Sequence, residues 1–167
     1  MSMVGLFWIT DAAAHIGAPP NSPGPGVLLT EEGLTGLGED QGGRWAWQDI
    51  RRVSVAGAPV RSSVARTAGI LLDTVITSAF GGGDDGPAMF VRLETPEEEV
   101  ELTVIATAAS YSPAEHRLSQ DLLDAYATGR ATPAALLAWG RTHGGGTPGR
   151  AEREELLAGW GGRAARR

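Results

Sequence analysis

The feature that most limits how this chain can fold is a change of hydrophobic period near residue 112. Upstream, apolar side chains recur mainly at every second position. Downstream of Ser112-Pro113-Ala114-Glu115 they recur at every third or fourth. That tetrad is a capping box. A Ser N-cap is followed three positions later by Glu, and Pro occupies the first helical position, where its missing N–H costs nothing. The spacing predicts a helix to about Thr128, stopped by Gly129, with Leu118, Leu122 and Ala125 as its apolar stripe and Leu123 or Tyr126 widening it. Short strands followed by a capped helix indicate an α+β fold rather than alternating α/β. The simplest assembly is a bent antiparallel sheet closed by the C-terminal helix.

The upstream strands are short. Gly5 to Thr10 and Ala13 to Gly17 flank a Thr10-Asp11 turn, and a Pro/Gly-rich loop runs from Ala18 to Gly26. Gly26 to Thr30 and Leu34 to Leu37 read as strands around Glu31-Glu32-Gly33. Arg44 to Trp47 reads as a strand with both indoles, Trp45 and Trp47, on one face. Such a pair is a ligand shelf or, more simply, core or rim packing. Val53 and Val55 alternate with polar neighbours. Met89 to Glu94 and Val100 to Ala106 form a hairpin around Thr95 to Glu98. Met89, Val91 and Leu93 should face Val100, Leu102 and Val104. The run Glu97, Glu98, Glu99 and Glu101 reads as a solvated edge.

One segment breaks the strand pattern. Val64, Ala68, Leu71, Leu72, Val75, Ile76 and Ala79 recur at helical spacing and end at Gly81-Gly82-Gly83. An amphipathic helix near 62–80 is expected, packed on the sheet with its Ile76 edge exposed. Leu71, Leu72, Val75 and Ile76 are the candidate partner-binding residues, for an unidentified protein or for self-association. Arg61, Arg66 and Phe80 are too few for a membrane-surface helix, and membrane contact is not expected. After residue 128, Thr132-Pro133 and Thr147-Pro148 begin two short helices, around Pro133 to Arg141 and Gly149 to Ala158. His143-Gly144-Gly145-Gly146 forms an expected mobile linker between them. The organisation is therefore a β domain over 4–128, with the inserted helix, and a helical, Gly-rich tail over 129–167. That tail is a solubilising end or a docking segment.

Composition enters mainly by exclusion. All 14 basic residues are Arg, and there is no Cys. Thiolate zinc sites, Fe–S ligation, cysteine nucleophiles, Walker A loops and Schiff-base lysines are therefore absent. Residues 1–140 hold 8 Arg against 17 acids, a body that does not suit nucleic acid. His15, His116 and His143 have no metal-ligand spacing, and His116 should be exposed in the first turn of its helix. Asp84-Asp85 lacks the further ligands of a calcium loop. No cofactor, metal or catalytic residue is assigned. The first residues carry no leader-like pattern, and a cytoplasmic location is expected.

The stretch Gly26-Val-Leu-Leu-Thr-Glu-Glu-Gly-Leu34, followed by Arg44-Trp-Ala-Trp-Gln-Asp-Ile-Arg-Arg-Val53, resembles bacterial pleckstrin-homology-like domains of the kind found in actinobacterial proteins. Their signature is a strand, a Trp-X-Asp-Ile/Val-X-X-Val turn and another strand. Trp47, Asp49, Ile50 and Val53 follow it in order. The resemblance implies a PH-like β-barrel closed by the C-terminal helix. Relatives that hold phosphoinositides carry Lys and Arg in the first loop. Here Thr10-Asp11-Ala12-Ala13-Ala14-His15 has neither, so headgroup binding through it is not expected. A non-catalytic binding or adaptor module, probing other proteins, is the leading functional expectation. The alternative is a small-substrate enzyme using Asp, Glu or His.

Overall fold

A computed structural model describes residues 2–18, 25–38, 41–60, 87–106, 110–144 and 146–162. The expected helix near 62–80, with Leu71, Leu72, Val75 and Ile76, lies outside these residues, as does Asp84-Asp85.

The described strands form two antiparallel sheets. The first is a six-stranded meander in chain order: β1 (Ser2–Val4), β2 (Phe7–Ile9), β3 (Ala14–Ile16), β4 (Gly26–Leu29), β5 (Gly33–Leu37) and β6 (Gly43–Ala46). A 3-10 turn, Trp47–Asp49, leads into the second sheet: β7 (Arg52–Ala56), β8 (Ala88–Glu94) and β9 (Glu99–Ile105). Strand β1 is not evident in the sequence pattern, because Gly5-Leu6 is a turn and not the start of a strand. Gly5 has φ +58° while Leu6 does not enter positive φ, the signature of a type II′ hairpin. Three other turns share one device. Thr10, Thr30 and Thr95 each lie three residues before a partner and bond it through the side chain. The Ala13, Gly33 and Glu98 N–H groups donate to the three Oγ1 atoms at 2.9, 3.1 and 3.1 Å.

Alternation puts Val4, Phe7, Ile9, Ile16, Val27 and Leu29 on the inner face of the large sheet, each at most 1% exposed. The small sheet answers with the expected register: Met89 opposite Val104, Val91 opposite Leu102 and Leu93 opposite Val100. Together these faces make the core.

The capping box forms at Ser112, whose Oγ accepts the Glu115 N–H at 3.2 Å, and α1 runs over Pro113–Ala127. It ends as expected. Gly129 takes φ +76°, Gly129 N–H donates to Tyr126 O at 3.3 Å, and Arg130 N–H donates to Ala125 O at 2.9 Å. Leu118 and Leu122 are buried. The two Thr-Pro signals become α2 (Ala134–Thr142) and α3 (Arg150–Trp160). Helix α2 packs closely on the β2 end, because a Cβ on Gly140 would lie 2.6 Å from Thr10 O. Helix α3 lies on α1 and β1.

The α+β class with an antiparallel sheet and a C-terminal helix is therefore present, and the described strands do not close into one barrel. At one junction a side chain joins the sheets where a backbone ladder would be needed. The Gln41 amide donates to Gly26 O of β4 at 3.2 Å and to Thr103 O of β9 at 2.9 Å, and its Oε1 accepts Thr103 N–H at 2.8 Å. The two tryptophans also differ from expectation. Trp45 stays on β6, whereas Trp47 begins the 3-10 turn. Its Nε1–H donates to Thr30 O at 3.1 Å, and its ring lies 5.4 Å from that of Tyr126. They do not share a strand face, because β6 ends at Ala46.

Candidate functional site

Two sheets have four edges, and an unpaired edge exposes N–H and C=O groups that seek partners. Three of these edges are clasped by other parts of the chain. On β7, Gln120 of α1 donates to Val53 O at 2.7 Å and accepts Val55 N–H at 3.0 Å. On β9, Gln41 plays the same part at Thr103. On β1, Met3 N–H donates to Thr147 Oγ1 at 3.1 Å, and Ser2 Oγ approaches Gly146 O at 3.4 Å.

Strand β6 has no such clasp among the described residues. Its inner edge pairs with β5, and Trp47 N–H continues that pairing to Glu32 O at 2.9 Å. Antiparallel alternation then turns the N–H and C=O groups of Arg44 and Ala46 to the free edge. Beside it lies a shallow hollow of about 370 Å³, lined by Leu28, Leu34, Thr35, Arg44, Trp45 and Ala46 among others. The indole of Trp45 lies over Gly43, where a Cβ would meet its ring at 2.7 Å. Arg44 is exposed. This surface offers main-chain hydrogen bonds, an apolar seat, the cation of Arg44 and, on the far side of the hollow, the carboxylate of Glu32.

A second hollow, also about 370 Å³, is polar. Ser2, Thr10 and Asp11 meet Trp139, Arg141 and His143 there. The His143 ring stacks on Trp139 with centroids 4.2 Å apart, and its Nε2 lies 2.9 Å from Gly146 O. The expected linker is thus anchored at both ends, through His143 and Thr147. The first loop has no cation of its own, but Arg141 from α2 joins Asp11 in the same hollow.

The three histidines stand on different elements. His15 is on β3 between Trp8 and Leu28, with Nδ1 buried and without a hydrogen-bond partner, and burial lowers its pKa. His116 is half-buried rather than exposed, since α1 lies against the body, and burial lowers its pKa too. Among the described residues no three His, Asp or Glu side chains form a metal-binding group. Tyr126 is 2% exposed with an unpartnered hydroxyl, and burial pushes its pKa up. It packs in the core beneath Trp47.

Glu115 is the most tightly held carboxylate. Arg153 of α3 donates to its Oε1 at 2.5 Å and its Oε2 at 3.1 Å, and the Ser112 hydroxyl donates at 3.2 Å. Burial alone would raise its pKa. The Arg153 hydrogen bonds and charge, with Ser112 and the Gly5 N–H, outweigh that and hold it below the usual range. The pair sits between α1 and α3, outside both hollows.

No helix among the described residues is long and apolar enough to cross a membrane. Compared with family models, curated proteins and solved structures, the chain matches none of them.

Proposed function

We propose that this chain is a non-catalytic binding module of pleckstrin-homology-like design that captures an extended segment of another protein on the free edge of β6. The PH-like part of this reading is supported by the order of elements: a meander, a corner at Trp47-Gln48-Asp49-Ile50, a later hairpin and the helix Pro113–Ala127. The binding part is carried by one observation. Three sheet edges are clasped by Gln120, Gln41 and Thr147, and the fourth, beside an apolar hollow, has no such clasp among the described residues. Strand addition supplies main-chain hydrogen bonds, and neighbouring pockets supply specificity. The partner strand places an acidic side chain across from Arg44 and an apolar one over the hollow, since opposite charges directly across a ladder attract.

Ala46→Pro tests this cleanly. Ala46 has φ −70°, a value that proline adopts without strain, and its N–H points away from the sheet. The substitution removes one edge donor and leaves the native ladder whole. Peptides from an extended-segment display library selected on the wild-type chain should lose binding to Ala46→Pro and weaken on Arg44→Glu, with the melting temperature unchanged. Equal binding to all three chains, or no binder at all, overturns the reading. An Ala46→Pro-sensitive dimer in sedimentation points to a second copy and overturns it as well.

A second reading has its own support. Asp11, Arg141 and His143 converge on the polar hollow, which suits a small substrate bearing both charges. Quenching of Trp139 fluorescence by such a molecule, lost in Arg141→Ala, would favour the small-substrate enzyme.

A further inference from the structure

The polar hollow between the β2–β3 turn and the end of α2 holds two opposite charges that do not meet. Asp11 and Arg141 are the formally charged residues of its wall, and both are exposed. Among the described residues they form no ion pair, with each other or with any third group. They are nevertheless held close. A Cβ on Gly140 would lie 2.6 Å from Ile9 Cγ2 and 2.6 Å from Thr10 O, so the backbone of α2 presses on the end of β2. Asp11 and Arg141 are the chain neighbours of Thr10 and Gly140. The turn that presents Asp11 is tied down, because Thr10 Oγ1 accepts the Ala12 and Ala13 N–H groups at 3.2 and 2.9 Å. The end of α2 adds acceptors. The last four carbonyls of a helix have no partner inside it. Here Trp139 O takes the His143 N–H and the Thr142 hydroxyl, whereas the carbonyls of Gly140, Arg141 and Thr142 accept no hydrogen bond among the described residues. The negative end of the helix dipole therefore lies at the hollow.

We propose that this hollow binds a free α-amino acid and releases it unchanged. The ammonium group brings three N–H donors, and Asp11 with the end carbonyls of α2 supplies the acceptors. The carboxylate takes the forked N–H donors of Arg141. The contact between Thr10 and Gly140 sets the length of the ligand, because it keeps Asp11 and Arg141 near each other and suits charges carried on one carbon. Most of the wall is polar. Ile9 and the stacked rings of Trp139 and His143 leave a limited apolar side for the ligand's side chain. The hydroxyls in the wall, those of Ser2, Thr10 and Thr142, all donate to backbone carbonyls, so none is activated by a base for attack. The proposal rests on the second reading above for the ligand's two charges, departs from it in having no turnover, and is independent of the β6 edge.

Titration calorimetry of the full chain with the common L-α-amino acids, each alone, tests this. At least one should bind saturably and be recovered unchanged. Its methyl ester and its N-acetyl derivative should each bind about tenfold or more weakly, as each lacks one charge. The free amino acid should weaken by a similar factor on Asp11→Asn and on Arg141→Gln, with the melting temperatures of both variants unchanged. Pairing the two series assigns the contacts. The N-acetyl derivative should lose nothing further on Asp11→Asn, nor the methyl ester on Arg141→Gln. Binding of 6-aminohexanoate in place of every α-amino acid overturns the proposal and leaves the two-charge reading standing. Consumption of the bound amino acid overturns it in favour of an enzyme. Binding indifferent to both substitutions places the ligand elsewhere and overturns it, and no binding by any of these compounds overturns both readings of the hollow.

Discussion

Replacing Arg153 by Met keeps an unbranched stem of comparable bulk and removes the charged guanidinium. In the wild-type chain Glu115 is 7% exposed at the side chain and Arg153 is 23% exposed. Removing one partner of a fully buried pair costs about 3–5 kcal/mol, because a charge is left without compensation. Here water touches the arginine side, and the Ser112 hydroxyl and Gly5 N–H remain as donors. The lower end, about 3 kcal/mol, is therefore expected. The loss also has a ceiling. It cannot exceed the free energy that docks α3, since α3 can lift away and let Glu115 hydrate. Burial of Leu157, worth about 1.5–3 kcal/mol, supplies much of that docking. For a chain of 167 residues, about 3 kcal/mol lowers the melting temperature by roughly 6–12 °C. The pH dependence is a second readout. A carboxylate whose folded pKa is depressed contributes stability above its unfolded pKa and loses it as pH falls through the folded value. Wild-type stability should therefore fall on acidification through that range. Without Arg153 the largest lowering causes are lost while burial remains, so the Glu115 pKa rises from its wild-type value and the gap between the two chains narrows in acid. Glu115→Gln in the Arg153→Met background should recover part of the loss. Calorimetry at neutral and acidic pH measures all of this. A variant melting within about 1 °C of wild type at neutral pH refutes the account of the pair.

Three further outcomes are expected. Leu122→Ala should cost about 2–5 kcal/mol in urea melts, because Leu122 is 0% exposed under β7 and α3; an unchanged midpoint refutes its place in the core. Gln120→Ala should leave Val53 O and Val55 N–H unpaired, cost about 1–3 kcal/mol and raise amide exchange at Val55; unchanged exchange refutes the clasp. Anionic vesicles should not bind through residues 10–16, where Asp11 offsets the nearby Arg141; salt-sensitive binding abolished by substitutions confined to that loop refutes this.

The candidate surfaces were only partly legible in the chain. Trp45 and Arg44 stand out in the sequence, but their alternation says nothing about which edge of β6 is free. That depends on where Gln41, Gln120 and Thr147 land, at contacts 62, 65 and 144 residues apart in sequence. The turns at Thr10, Thr30 and Thr95 were legible in the chain, although the Thr side-chain bond that all three share was not. Leu71, Leu72, Val75 and Ile76 belong to a stripe that periodicity alone identifies, outside the described residues.

Local chemistry is what the sequence by itself determined. A capping box, a left-handed glycine stop and a period of two are satisfied within a few residues of where they are written, so α1 and the β8–β9 register follow directly from them. Trp47 shows where that reasoning ends. Its alternation with Trp45 suits a strand, but a bond to Thr30 O and contact with Tyr126 turn it into a corner. The tertiary structure alone decided that the tail docks. Arg153 and Glu115 are 38 residues apart, and no local rule pairs them. Their pairing depends on a buried carboxylate needing a cation and on one apolar face of α3 needing cover, and both needs exist only once the sheets and α1 have assembled.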